Sequence, residues 1–98
     1  MKKDFRLRDQ IRRASVSIIS NIAEGFDSGS DGEFIRFLRY SLRSASEVQS
    51  HLYVACDRKY LAGPDFSSIF SMTVSTKNLI LGFIRYLHLG PWTLDLGP

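Results

Sequence analysis

Glu24 and Glu33 stand on either side of the short stretch Asp27-Ser28-Gly29-Ser30-Asp31-Gly32, and Asn21 precedes the first of them by one helical turn. Two carboxylates brought together across a turn are the minimum that general acid–base chemistry needs. Nothing beside them completes a catalytic site, because no nucleophile, histidine or phosphate-binding loop accompanies the pair. Structural roles account for all three residues: Glu24 opposite Arg13, Glu33 as a helix-capping residue, and Asn21 as a polar group at the junction. No catalytic residue is assigned, and the chain is not expected to be an enzyme.

A second pattern points to binding. Arg36, Arg39 and Arg43 follow one another at i, i+3 and i+7, so on a helix they share one face, turned away from Phe34 and Leu38. Guanidinium groups in a row can contact successive phosphates of a nucleic acid. Arg12 and Arg13, with Lys2, Lys3, Arg6 and Arg8 in the N-terminal segment, add to the same field. The competing reading is a solvated face or a set of salt bridges between subunits. Of the 13 Lys/Arg and 10 Asp/Glu that give a net charge of +3, residues 1–43 hold nine basic and six acidic, and residues 44–98 hold four of each. All of the excess positive charge therefore lies in the first half.

The remaining polar and aromatic residues need no site. His51 and Cys56 are five apart, which puts them on different sides of a helix and makes a shared metal unexpected. Glu47 and His51 form an i, i+4 pair of the kind that makes a local surface contact. His88 falls near a helix C-terminus, where the dipole favours its proton. Tyr40, Tyr53, Tyr60 and Tyr86 could stack on bases, but at helical spacing they read as core edges or subunit contacts. No cofactor is expected, and no zinc-finger, RNA-recognition or P-loop pattern is present.

The elements that must position these residues are helices. From Asp9, which reads as an N-cap, Ile11, Ala14, Ile18 and Ile22 recur at helical spacing, and Val16, Ile19 and Ala23 form a second apolar strip beside them. Gly25 is placed to end this helix in a left-handed conformation. Ser30, three residues before Glu33, has the spacing of a capping box and opens a second helix. Its core face runs Phe34, Leu38, Ser41, Ala45, Val48, Leu52 and Ala55. Continued to Tyr60 it would be about 40 Å long, the backbone of the fold. Gly63 and Pro64 break the chain before a third helix whose stripe is Ile69, Met72, Thr76, Leu79, Ile80, Phe83 and Leu87. The predicted helices are 9–25, 31–60 and 65–88, within a single domain over 1–90. Residues 91–98 form an irregular tail in which two readings stand: no fixed structure, or Trp92 seated in a groove.

Composition sets the compartment. A lone cysteine gives no internal disulfide, the charged residues after Lys3 leave no signal-peptide core, and Leu79 to Leu89 is interrupted by Gly82 and Arg85. A soluble, cytoplasmic protein is expected, with no membrane partner.

The run from Gln10 through Arg12, Arg13 and Ala14 to Ser20-Asn21-Ile22-Ala23-Glu24-Gly25-Phe26, followed by Glu33-Phe34-Ile35-Arg36-Phe37-Leu38, resembles the four-helix-bundle proteins encoded in 23S ribosomal RNA intervening sequences. The accessory proteins of diversity-generating retroelements look similar. The resemblance covers about residues 7–88. It implies an all-α, antiparallel up-and-down bundle assembled as a ring-like homopentamer with a basic surface. RNA association is the suggested role, and for the retroelement relatives so is binding to nucleic acid and to a reverse transcriptase. It brings no catalytic residues. Relatives usually carry an amphipathic helix before the Gln-Ile-Arg-Arg segment, so this chain is expected to supply three helices of the four. The faces holding Val16, Ile19 and the third-helix stripe must then be covered otherwise or left exposed. Relatives also commonly have proline where Ile19 stands, so no proline kink is expected here.

Overall fold

The computed structural model describes residues 4–89. Three helices follow one another, α1 over Phe5–Phe26, α2 over Asp31–Asp57 and α3 over Gly63–Leu89. The result is an all-α, antiparallel bundle. α2 packs against both neighbours, whereas α1 and α3 hardly touch each other. The body is therefore a slab, 53 × 26 × 13 Å between Cα atoms.

α1 begins earlier than Asp9. Its N-cap is Asp4, whose Oδ1 accepts the Leu7 N–H at 2.9 Å and whose Oδ2 accepts Arg58 Nη1 at 2.7 Å. Leu7 is buried beneath this cap, which anchors the first turn. Asp9 sits inside the helix and binds Arg12 at 2.6 Å and Arg13 at 2.9 Å. α1 then runs without a break through Ile19, in accord with the absence of a proline there.

Gly25 does not end α1. It is helical and buried, and the chain leaves the helix through Asp27 with φ −84°. The positive φ of the turn belongs to Gly29, at +88°. What Gly25 supplies is room: a Cβ there would lie 2.8 Å from Phe34 Cδ1 and 2.9 Å from Phe37 Cβ. Along the same seam Ser41 Oγ donates to the Ile18 carbonyl and Ser44 Oγ to Ser17 Oγ, each at 2.8 Å. Small residues let the two backbones approach, and their hydroxyls satisfy one another inside the contact.

The α2 core face agrees with the spacing: Leu38, Ser41, Ala45, Val48, Leu52 and Ala55 are buried. α2 ends at Asp57 rather than Tyr60 because Lys59 turns left-handed at φ 62°, and the Tyr60 N–H closes on the Ala55 carbonyl at 2.9 Å. α3 differs most from expectation. It meets α2 through Thr73, Ile80 and Ile84, with Phe66 and Phe70 against the upper core and Leu87 against the lower. Met72 and Leu79, both in the expected stripe, are 65% and 75% exposed. The expected stripe splits: Ile80 is buried and Leu87 packs against the core, whereas Met72 and Leu79 lie on the side turned away from α2. α1 does the same with Ile19, 69% exposed, and Phe26, 74% exposed.

Three outcomes test this packing. Gly25→Ala should cost about 1–3 kcal/mol, since its Cβ meets another Cβ that cannot swing aside; urea denaturation measures it. Lys59→Gly relieves a left-handed non-glycine residue and should gain about 1 kcal/mol in the same assay. The Leu7 N–H, and then Arg58, hold the Asp4 carboxyl below the ordinary carboxylate range. The folded value is the lower one, so Asp4 contributes its full stability above about pH 4 and loses it as pH falls through that lowered value. Asp4→Asn should lower Tm at pH 7 and flatten the acid side of the Tm–pH curve.

Candidate nucleic-acid interface

The arginine row lies where its spacing places it, on the outer face of α2, and all three side chains are exposed. Their surroundings differ. Arg36 Nη2 binds Glu33 Oε1 at 2.7 Å, and this pairing raises its already high pKa further. Its guanidinium lies 5.3 Å from the Phe37 ring centre and 5.8 Å from that of Tyr40. Arg43 approaches Tyr40 at 5.5 Å, and Phe37 meets Tyr40 edge-on at 5.8 Å. Tyr40 thus braces two arginines at once by cation–π attraction. Arg39 reaches across to α3, where its Nη2 lies 3.4 Å from His88 Nε2. Among the described residues, neither Arg39 nor Arg43 has a carboxylate partner.

Arg12 and Arg13 do not join the row. Both are tied to Asp9 on α1. Arg13 lines a groove of about 230 Å³ on the α1–α2 seam with Ser17, Ser44, Glu47 and His51, while Arg12 lines one with Phe5, Arg6, Arg8 and Asp9. Lys2 and Lys3 lie outside the described residues.

The carboxylate pair dissolves into structure. Glu24 is exposed on α1, and Arg13 pairs with Asp9, one turn away, instead of reaching three turns to Glu24. Glu33 receives a cap as its N–H donates to Ser30 Oγ at 3.2 Å, but its side chain turns to Arg36, so the capping box is only half made. Asn21 Nδ2 donates to the Ser17 carbonyl at 2.8 Å and to Ser17 Oγ at 3.1 Å, within α1. Sequence reasoning missed Tyr40 as the brace and His88 as the partner of Arg39. The i, i+4 and i, i+3 spacing of Tyr40 from Arg36 and Arg43 was a usable signal for the first; nothing in the sequence signalled the second. Among the described residues no three His, Cys, Asp or Glu side chains gather as a metal site, and no helix is long and apolar enough to cross a membrane.

Residues 1–82 match the family described as 23S rRNA-intervening sequence protein. The chain belongs to that family. No curated protein matches it. Among solved structures it is similar to a protein of unknown function from the S23 ribosomal protein family of Bacteroides thetaiotaomicron VPI-5482, with 27% identity and a TM-score of 0.81. The match covers 86% of this chain and 78% of that one. The family and the helical bundle expected from the Gln10–Phe26 and Glu33–Leu38 motifs are thus both found.

Proposed function

We propose that this family member is a non-enzymatic accessory protein that holds RNA by its phosphate backbone on the outer face of α2. The observation that carries the reading is the state of Arg39 and Arg43. They are exposed, they have no carboxylate partner among the described residues, and each is oriented by a side chain that leaves its charge unneutralised, His88 for one and Tyr40 for the other. Arg36 extends the row but shares its charge with Glu33. With a guanidinium beside its ring from each direction along the helix, Tyr40 serves the arginines rather than a stacked base. Contact through phosphates alone is tolerant of sequence.

A second reading places carboxylates of another polypeptide on Arg39 and Arg43, either in a homo-oligomer, for which the resemblance implies five copies, or with a protein such as a reverse transcriptase. The Glu33–Arg36 pair favours it by showing that the row accepts carboxylates readily.

Binding to a structured RNA across a salt series decides between them. The expected outcome is measurable affinity at low salt, similar for unrelated RNAs of one length, with log K falling linearly in log salt. Replacing Arg39 and Arg43 by Glu should flatten that slope by about 0.7–0.9 for each phosphate contact removed. No binding at low salt, or binding unchanged when Arg36, Arg39 and Arg43 all become Glu, overturns the first reading. Light scattering on the same variant addresses the second: loss of an oligomer favours it, and an intact assembly without RNA binding favours the first.

A further inference from the structure

Opposite its buried residues Leu7, Ala14 and Gly25, α1 carries a second strip, running from Phe5 to Phe26 at intervals of three and four residues and exposed at every position. Phe5 and Ile19 are each 69% exposed, Phe26 74% and Val16 55%. Apolar residues at this spacing along a whole helix form a seam for another helix.

The strip is complementary to itself when reversed. Laid antiparallel on a second α1, Phe5 faces Phe26, Arg8 faces Ala23, Arg12 faces Ile19, and Val16 falls beside its own copy at the two-fold axis. Each pairing is chemically matched. The phenylalanines close both ends. Arg8, whose guanidinium lies 4.8 Å from the Phe5 ring centre, meets the smallest side chain of the strip, which leaves room for its aliphatic stem. Arg12 is held by Asp9 at 2.6 Å, so it lies against Ile19 without a bare charge. Charge fixes the direction. From Phe5 to Ser15 the chain carries four arginines and one aspartate, whereas from Val16 to Asp27 it carries Glu24 and Asp27 and no basic residue. Antiparallel pairing sets basic half against acidic half at both ends, and parallel pairing would set like against like.

We propose that two copies of the chain associate through an antiparallel α1–α1 contact with Val16 at its two-fold axis. A surface that complements itself in this way closes as a dimer. The arginine row of α2 takes no part, so the pairing does not rest on RNA binding.

Light scattering at high concentration should give twice the 11.2 kDa mass of the chain, falling toward one chain on dilution. Val16→Glu brings two like charges together at the axis. It should raise the dissociation constant at least about tenfold while leaving helix content by circular dichroism unchanged. Disulfide trapping in a Cys56→Ser background tests the register independently. Arg8→Cys and Ala23→Cys chains mixed together should cross-link on oxidation, and neither should do so alone, because its like positions lie about 22 Å apart. The proposal is overturned by any limiting mass other than two chains, by a dimer that Val16→Glu leaves intact, or by efficient cross-linking of either cysteine variant with itself.

Discussion

The fold depends on how closely α1 and α2 can approach. At Gly25 the absence of a side chain lets Phe34 and Phe37 occupy the space that a Cβ would fill, and Ser17, Ser41 and Ser44 continue the seam with hydroxyls that find partners inside it. A contact built from small residues gains less by apolar area than one built from leucines. It gains instead by bringing two backbones together over the length of a hairpin, with no buried side-chain polar atom left unpartnered among the described residues. This closeness brings Phe34 between the two outer helices, and it turns the opposite face of α2, with its arginines, to solvent.

That dependence explains what could be read from the residues. The α2 core face was legible because α2 has neighbours on both sides, so one broad apolar arc serves both and its centre falls on Leu38, Ala45 and Leu52. α3 was not legible in the same way. Its expected stripe mixes residues that meet α2, Ile80 and Leu87, with Met72 and Leu79, which stay exposed, and the contact also takes in Thr73 and Ile84. Periodicity reports where apolar residues lie on a cylinder and not which neighbour meets them. Asp9 and Gly25 failed for a related reason: each residue type has two helical uses, and only the surroundings choose between cap and ion pair for aspartate, or between terminator and close contact for glycine.

The site shows the same division. The outer-face placement of Arg36, Arg39 and Arg43 follows from spacing alone, because three residues at i, i+3 and i+7 cannot do otherwise on a continuous helix. Grouping Arg12 and Arg13 with them does not follow, since net charge carries no address and α1 turns both toward Asp9. What distinguishes the three arginines from one another is tertiary or local pairing that composition cannot express, above all the 49-residue separation between Arg39 and His88.

The consequence is a surface graded in effective charge. A guanidinium beside a carboxylate at 2.7 Å presents a far weaker field than one braced by a ring or an imidazole, because the ion pair is close to neutral at the distance of an approaching phosphate. Arg36 is in the first condition, and Arg39 and Arg43 are in the second. An anion approaching α2 therefore meets its strongest attraction toward the middle of the helix, at Arg39 and Arg43, and a weaker one toward the loop. Screening at physiological salt extends over only about 8 Å, so the nearest groups dominate and the distant N-terminal arginines contribute little to that approach. Arg39 and Arg43 are thus the members of the row that no carboxylate neutralises, a condition they share among the described residues with exposed Arg6, Arg8 and Arg85 elsewhere on the surface.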